Sequence, residues 1–312
     1  MIIKDHFLSK EDFELQETSI QGIYKTHPIP EKLDRYYEST DYISHYQDEK
    51  GLKYKLYKFL QGFNLNFKRN ILAKEIHKNA KILDYGFGAG EFLKYIEDDF
   101  TTFGFEPNKS AGEFAAKKLS KTQIIDDLNT IENESLHAIT LWHVLEHIEN
   151  QEDILNLFHS KLITNGLLVI AVPNHTSYDA KRYREFWAAY DVPRHIYHFS
   201  KSGMQKLMNN ERWKIKFIKP LLLDSFYISM LSEKYKKSSL FWLKGFIFGA
   251  ISNFKALKND EFSSLIYVSK KNSFSIFKVF MKVDFYLFFQ FLKKFSKFSK
   301  KKVSGITGNF FY

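Results

Sequence analysis

The chain has no cysteine among its 312 residues. That excludes disulfides, thiolate metal centres and cysteine nucleophiles, and it fits a reducing, cytoplasmic setting. Long uninterrupted apolar runs are also missing, so no transmembrane helix is expected. The opening stretch MIIKDHFLSKEDFELQ is too acidic and too interrupted to read as a signal peptide. Acids are scarce in one region only. Residues 231–312 carry a Lys/Arg excess of 12, whereas the first 230 residues balance at −2. The basic character therefore belongs to an attached surface and not to the main body. Aromatics are plentiful at 17%, with 32 Phe, enough for a substantial core and for exposed apolar surface.

No Walker-type Gly-Lys-Ser/Thr occurs, and no G-x-G-x-x-G dinucleotide fingerprint. In their place stands Lys81–Phe92, KILDYGFGAGEF. Ile82 and Leu83 end in Asp84, and Gly86, Gly88 and Gly90 follow at alternate positions. Phe92, Leu93 and Ile96 then recur at helical spacing. The pattern predicts a strand, a tight glycine turn and a helix whose first N–H groups face a ligand. The third glycine comes one residue too early for a dinucleotide, which disfavours a nicotinamide oxidoreductase. Asp84 would repel a pyrophosphate and suits a cationic cofactor. A glycine turn without any ligand is the plain alternative, and the acids downstream argue against it.

This D-x-G-x-G-x-G stretch resembles motif I of class I S-adenosylmethionine-dependent methyltransferases. In the same frame, Thr102–Phe105 reads as the second core strand and ends in Glu106, 22 residues after Asp84. An acid there is placed to accept hydrogen bonds from two ribose hydroxyls. The third strand, Gln123–Ile125, runs into Asp126–Asp127–Leu128. The family's Asp-Leu pair points to Asp127 and Leu128 beside the adenine, with Asp126 close behind. The fourth strand, Ala138–Leu141, leads into WHVLEHI (Trp142–Ile148). This closely resembles the matching stretch in a broad branch that includes ubiquinone- and menaquinone-type enzymes. That branch usually has Phe-Asp at the strand start. Here Leu136–His137 stands there, and His137 is expected to replace the missing carboxylate structurally.

Strands at Leu167–Val172, Lys214–Pro220 and Ser264–Ser269, the last antiparallel, complete the expected fold. It is α/β and Rossmann-like, with a seven-stranded, mostly parallel sheet and helices on both faces. Residues 1–69 are expected to form a helical N-terminal cap with a helix at Leu52–Phe63, and a further helix, Asn70–Lys78, is expected to open the core and lead into the glycine loop. Residues 70–271 form the core, with an insertion at 225–262. Residues 272–312 form a basic amphipathic helix. In that tail Phe274, Phe277, Met281, Phe288, Leu292, Phe295 and Phe298 share one side, with Lys282, Lys293, Lys297, Lys300 and Lys301 opposite. This is the pattern of an interfacial membrane binder, or of a helix packed on protein. The tyrosine-rich segment Tyr36–Tyr46 is expected either to shape a substrate pocket or simply to pack.

The resemblance implies S-adenosylmethionine bound by Asp84, Tyr85, Gly86, Gly88, Gly90, Glu106, Asp127, Leu128 and His143. Methyl transfer is an in-line displacement from an already activated cofactor, so the protein chiefly aligns the reactants and excludes water. Where the acceptor must lose a proton, His143 and His195 are the candidate bases, each alternatively only a loop or lid holder. Residues 173–200, rich in His, Arg and aromatics, resemble the branch's active-site loop and lid, too polar for a core. His143, Glu146 and His147 form H-x-x-E-H, expected on a helix whose one face presents three possible ligands. Relatives with E-x-x-E-H bind magnesium, but His suits a hard cation poorly, and no metal is expected. The expected acceptor is a small-molecule or lipid-linked compound, with the 272–312 tail contacting the cytoplasmic membrane face. A non-catalytic, membrane-associated cofactor-binding protein is the alternative. Nucleic acid is disfavoured, because the Asn-Pro-Pro-aromatic signature is absent and the lysines sit beside a Phe face.

Overall fold

A computed structural model describes residues 1–37, 52–210 and 212–272, residues 52–57 by their backbone. The expected tail helix and the tyrosines at 42 and 46 lie outside these residues. In chain order the strands are β1 (Ile2–Lys4), β2 (Asp12–Glu17), β3 (Ile23–His27), β4 (Lys81–Tyr85), β5 (Thr101–Phe105), β6 (Gln123–Ile125), β7 (Leu136–Trp142), β8 (Leu162–Pro173), β9 (Tyr197–Phe199), β10 (Trp213–Pro220) and β11 (Ser264–Lys271). The helices are α1 (Leu52–Ala73), α2 (Glu91–Ile96), α3 (Lys109–Ala116), α4 (Gln151–Lys161), α5 (Tyr178–Tyr183), α6 (Lys201–Met208), α7 (Asp224–Tyr235) and α8 (Phe241–Ala256).

Seven strands form one sheet in the order β10-β11-β8-β7-β4-β5-β6. β4, β5, β6, β7 and β8 pair in parallel, and β11 runs antiparallel between β8 and β10. Period-2 alternation puts neighbouring residues on opposite faces. Leu83, Ile139 and Leu168 join one core with Phe158 of α4 and Met204 of α6. Ile82, Ala138 and Leu167 join the other with Leu72 of α1 and Phe92 of α2. The strand order reverses between β4 and β7, which opens a crevice at their carboxyl ends. His137 Nδ1 accepts the Lys81 N–H at 3.1 Å, tying β7 to the start of β4.

The N-terminal region departs from the expected helical cap. β1, β2 and β3 form an antiparallel meander that β9 extends to four strands. Asp12–Glu17 alternates, with Phe13 and Leu15 inward. Strands this short need a partner to persist, and the partner comes from residues 197–199, far along the chain. The helical part of the region is α1. It runs unbroken from 52 to 73, through the boundary expected at 70 and in place of two helices.

Residues 173–200 were expected to be too polar for a core, yet they are largely buried. Arg194 is 2% exposed and Asp179 is fully buried. Their polar groups are satisfied internally. Asp179 accepts from Trp187 Nε1, Ser252 Oγ and Ser263 Oγ at 2.6–2.7 Å. Arg194 donates to Asp5, Asp191 and the Tyr36 carbonyl at 2.7–3.0 Å. A third core gathers Phe13 and Leu15 of the meander, Trp187 and Tyr190 of this segment, and Ile228 of α7.

Candidate active site

Asp84 lies near the end of β4, in register with Gly104 of β5 and Thr140 of β7. Its carboxylate is buried and accepts the Thr140 hydroxyl at 2.6 Å. Burial pushes its pKa up, to about 7, against the opposing pull of the Thr140 bond and the Lys68 ammonium. Lys68 reaches in from α1, with its Nζ 4.4 Å from the centre of the Trp142 ring. Burial pushes the Lys68 ammonium down, opposed by the charges of Asp224 and Asp84.

The three loop glycines all have left-handed backbone, φ 73°, 55° and 74°, the region that glycine enters without strain. At Gly86 a side chain would also strike Val144 at 2.6 Å, whereas the space beyond Gly88 is open. The loop therefore presents bare backbone where a ligand approaches. Glu106 braces it: its carboxylate accepts Gly88 N–H at 2.7 Å and Asn108 N–H at 2.9 Å. The Tyr85 ring stacks on Phe105 and meets Phe158 edge-on, so its main chain serves the loop. Asp127 Oδ1 caps the turn Leu128–Thr130 by accepting Asn129 N–H at 2.8 Å, and Leu128 is buried in the core. Asp84, Glu106 and Asp127 thus stand at the carboxyl ends of β4, β5 and β6.

His143 follows β7 with a left-handed φ of 57°. Its Nε2 sits 2.9 Å from Asp224 Oδ2, at the start of α7, and its Nδ1 lies 3.4 Å from Glu146 Oε1. Burial alone would lower its pKa. Asp224 and then Glu146 outweigh that and raise it to about 10. His143 is therefore held as a cation, a poor form for a base. His195 is the opposite case. It is buried, its Nδ1 donates to the Ala189 carbonyl at 2.9 Å, and burial with His147 nearby pushes it down to about 4. Both histidines line a cavity of about 380 Å³ with Phe7, Asp224 and Ile228.

H-x-x-E-H is not a helical face here. It begins just after β7 and ends in a single 3-10 turn, Leu145–His147. His143 turns to Asp224, while Glu146 and His147 converge with His195 of the lid. Lys68 and Asp224 were missed in the sequence. Each is an ordinary charged residue on a helix, brought to the site only by packing.

A doubly wound sheet with acids at three adjacent strand ends and a bare glycine turn after the first is the architecture of a nucleoside-cofactor-binding fold. The methyltransferase-domain family matches residues 58–213, half of the chain, so the chain belongs to that family, the class I S-adenosylmethionine-dependent methyltransferases. No curated protein matches in sequence. Among solved structures, one chain of a complex between a methyltransferase activator and a methyltransferase of Haloferax volcanii is similar at 12% identity and TM-score 0.50. The match covers 69% of this chain and 93% of that one. A mycolic acid cyclopropane synthase complexed with SAH and CTAB is similar at 12% identity and TM-score 0.49, covering 72% and 87%. So is geranyl diphosphate C-methyltransferase from Streptomyces coelicolor A3(2), in complex with Mg2+, geranyl diphosphate and S-adenosyl-L-homocysteine, at 11% identity and TM-score 0.49, covering 72% and 86%. At these identities the likeness is one of fold.

Proposed function

We propose that the protein transfers the methyl group of S-adenosylmethionine to a small-molecule acceptor, of lipid-linked character, seated in the cavity beside His143 and His195. The carrying observation is the row Asp84, Glu106 and Asp127 at adjacent strand ends, beside the open backbone at Gly88. The residues fit the cofactor. Glu106 would take the ribose hydroxyls and Asp127 the adenine amino group. Asp84 and Lys68 offer opposite charges to its ammonium and carboxylate. S-Adenosylmethionine supplies an activated methyl group. The chain's own residues align it and keep water out.

A volume of about 380 Å³ is within the range of small-molecule sites. The lipid-linked character rests on α8. Gly245, Gly249, Ser252 and Ala256 face inward, whereas Trp242 is 56% and Phe246 60% exposed. Phe254 and Leu257 are exposed as well. No helix among the described residues is long and apolar enough to cross a membrane, so such a face would lie in the interface. The test supplies tritium-labelled methyl on the cofactor to the full chain with lipid extracts and, separately, aqueous extracts. Label entering the lipid fraction and lost in Asp84→Ala is expected. Transfer only to a soluble polar compound would overturn the lipid-linked acceptor, and no cofactor binding would overturn the transfer itself.

A further inference from the structure

Glu146 is fully buried, and neither of its carboxylate oxygens has a hydrogen-bond partner. The nearest cation, His143 Nδ1, is 3.4 Å away, and its other nitrogen is committed to Asp224. A fully buried carboxylate whose one ion-pair partner makes no hydrogen bond to it is costly, and both of its oxygens remain free to take a further cation. Two imidazoles stand beside it. The rings of His147 and His195 meet edge to face with centres 4.7 Å apart. One donor atom from each of the three residues lies within 4.8 Å of the others.

The outer hydrogen bonds set the tautomers. His147 Nδ1 is 2.9 Å from the Arg194 carbonyl, and His195 Nδ1 is 2.9 Å from the Ala189 carbonyl. A carbonyl oxygen only accepts, so each Nδ1 carries the proton and each Nε2 keeps its lone pair. Backbone carbonyls on the far nitrogens are the usual support of metal-bound histidines. The frame is stiff. Ile196 N–H bonds the Glu146 carbonyl at 2.8 Å, and β9 pairs with β3 immediately after.

We propose that Glu146, His147 and His195 bind a divalent transition ion of the zinc class. The set is distinct from the contiguous H-x-x-E-H, because its third member comes from the lid and His143 is excluded. Two nitrogens and one carboxylate suit zinc or cobalt; magnesium and calcium prefer oxygen throughout. Zinc–nitrogen bonds of about 2.0–2.1 Å put tetrahedral donors ~3.3 Å apart, so the cage draws in by up to ~1.5 Å on binding. Three protein ligands leave a position open. His195 lines the cavity, and that position takes an oxygen of the acceptor. The metal site stands without the methyl-transfer reading; only the acceptor's place on it rests on that reading.

The test uses the full chain, stripped with a chelator and titrated with Co2+, Zn2+ and Mg2+. One equivalent of Co2+ is expected, with visible d–d absorption that Zn2+ displaces and excess Mg2+ leaves unchanged. His147→Ala and His195→Ala should each weaken Co2+ by at least about 100-fold, beyond the effect of outer-shell changes. Glu146→Gln preserves volume and decides the matter if a histidine variant fails to fold. Far-ultraviolet circular dichroism and thermal melting report the fold of each variant independently of cofactor binding. No Co2+ uptake by folded wild type would overturn the proposal. So would preference for Mg2+, or uptake unchanged in folded Glu146→Gln.

Discussion

Asp84 carries the charge on which the choice of cofactor turns. Its burial raises the carboxyl to about 7, while the Thr140 hydroxyl and Lys68 ammonium pull it down and Glu106 adds to the rise. The free protein at pH 6 therefore holds a proton that a cationic ligand must displace. S-Adenosylmethionine affinity is predicted to strengthen as pH rises through about 7, with proton release at pH 6. Calorimetry in buffers of different ionisation enthalpy measures both, and Asp84→Asn should abolish the release. The same shift has a cost: folding stability falls as pH climbs from the ordinary carboxyl range to about 7, because ionisation is easier in the unfolded chain. Arg194 is a second residue with a definite prediction. Removing it in Arg194→Met leaves buried Asp5 without its cation, a loss of about 3–5 kcal/mol in urea unfolding. A loss below ~1 kcal/mol would contradict the account. The strand-end positions of Asp84 and Glu106 were legible because each stands at the close of a strand at a fixed distance from the glycine turn. Lys68 and Asp224 were not, since no local pattern distinguishes a lysine on α1 or an aspartate opening α7 from solvated charges.

Among the elements, α7 and α8 form the most unusual pair. α8 packs through small residues and turns its large apolar side chains outward. A Cβ at Gly245 would sit 2.4 Å from Met230 Cα, and one at Gly249 2.7 Å from Phe226 Cα. Gly249→Ala is predicted to cost about 1–3 kcal/mol through overpacking, read as faster amide exchange over 224–256. Trp242→Ser with Phe246→Ser should leave stability nearly unchanged and weaken sedimentation with anionic lipid vesicles. Vesicle binding unaffected by the double change would remove the support for an interfacial face. The sequence marked 225–262 as an insertion because it falls between the sixth and seventh expected strands, but a helical wheel alone does not say that the small side is the packed one. The β1–β3 meander was illegible for a different reason. Its strands are short, and the pairing that stabilises them comes from β9, about 170 residues later in the chain.

For the whole molecule, the alternation of strands and helices between 81 and 173 limits the fold to a doubly wound sheet, and the sheet order agrees. That part was legible because each βα unit carries its own periodicity. The burial of residues 173–200 was not legible, because Asp179 and Arg194 find their partners on distant elements. Asp5, Tyr36 and Ser252 all serve residues 179–194. Deleting residues 1–28 is therefore predicted to abolish methyl transfer by freeing β9 and Arg194, with cofactor binding falling much less. Equal loss of both would mean that the N-terminal sheet supports the entire fold. The central claim is tested most directly by titrating S-adenosylmethionine into wild type, Asp84→Ala and Glu106→Ala by calorimetry, with NADH as control. Saturable micromolar binding by wild type, weakened at least about tenfold by each substitution (~1.4 kcal/mol or more), and silence with NADH are the predicted results. No binding by folded wild type, or binding indifferent to both acids, would contradict the account.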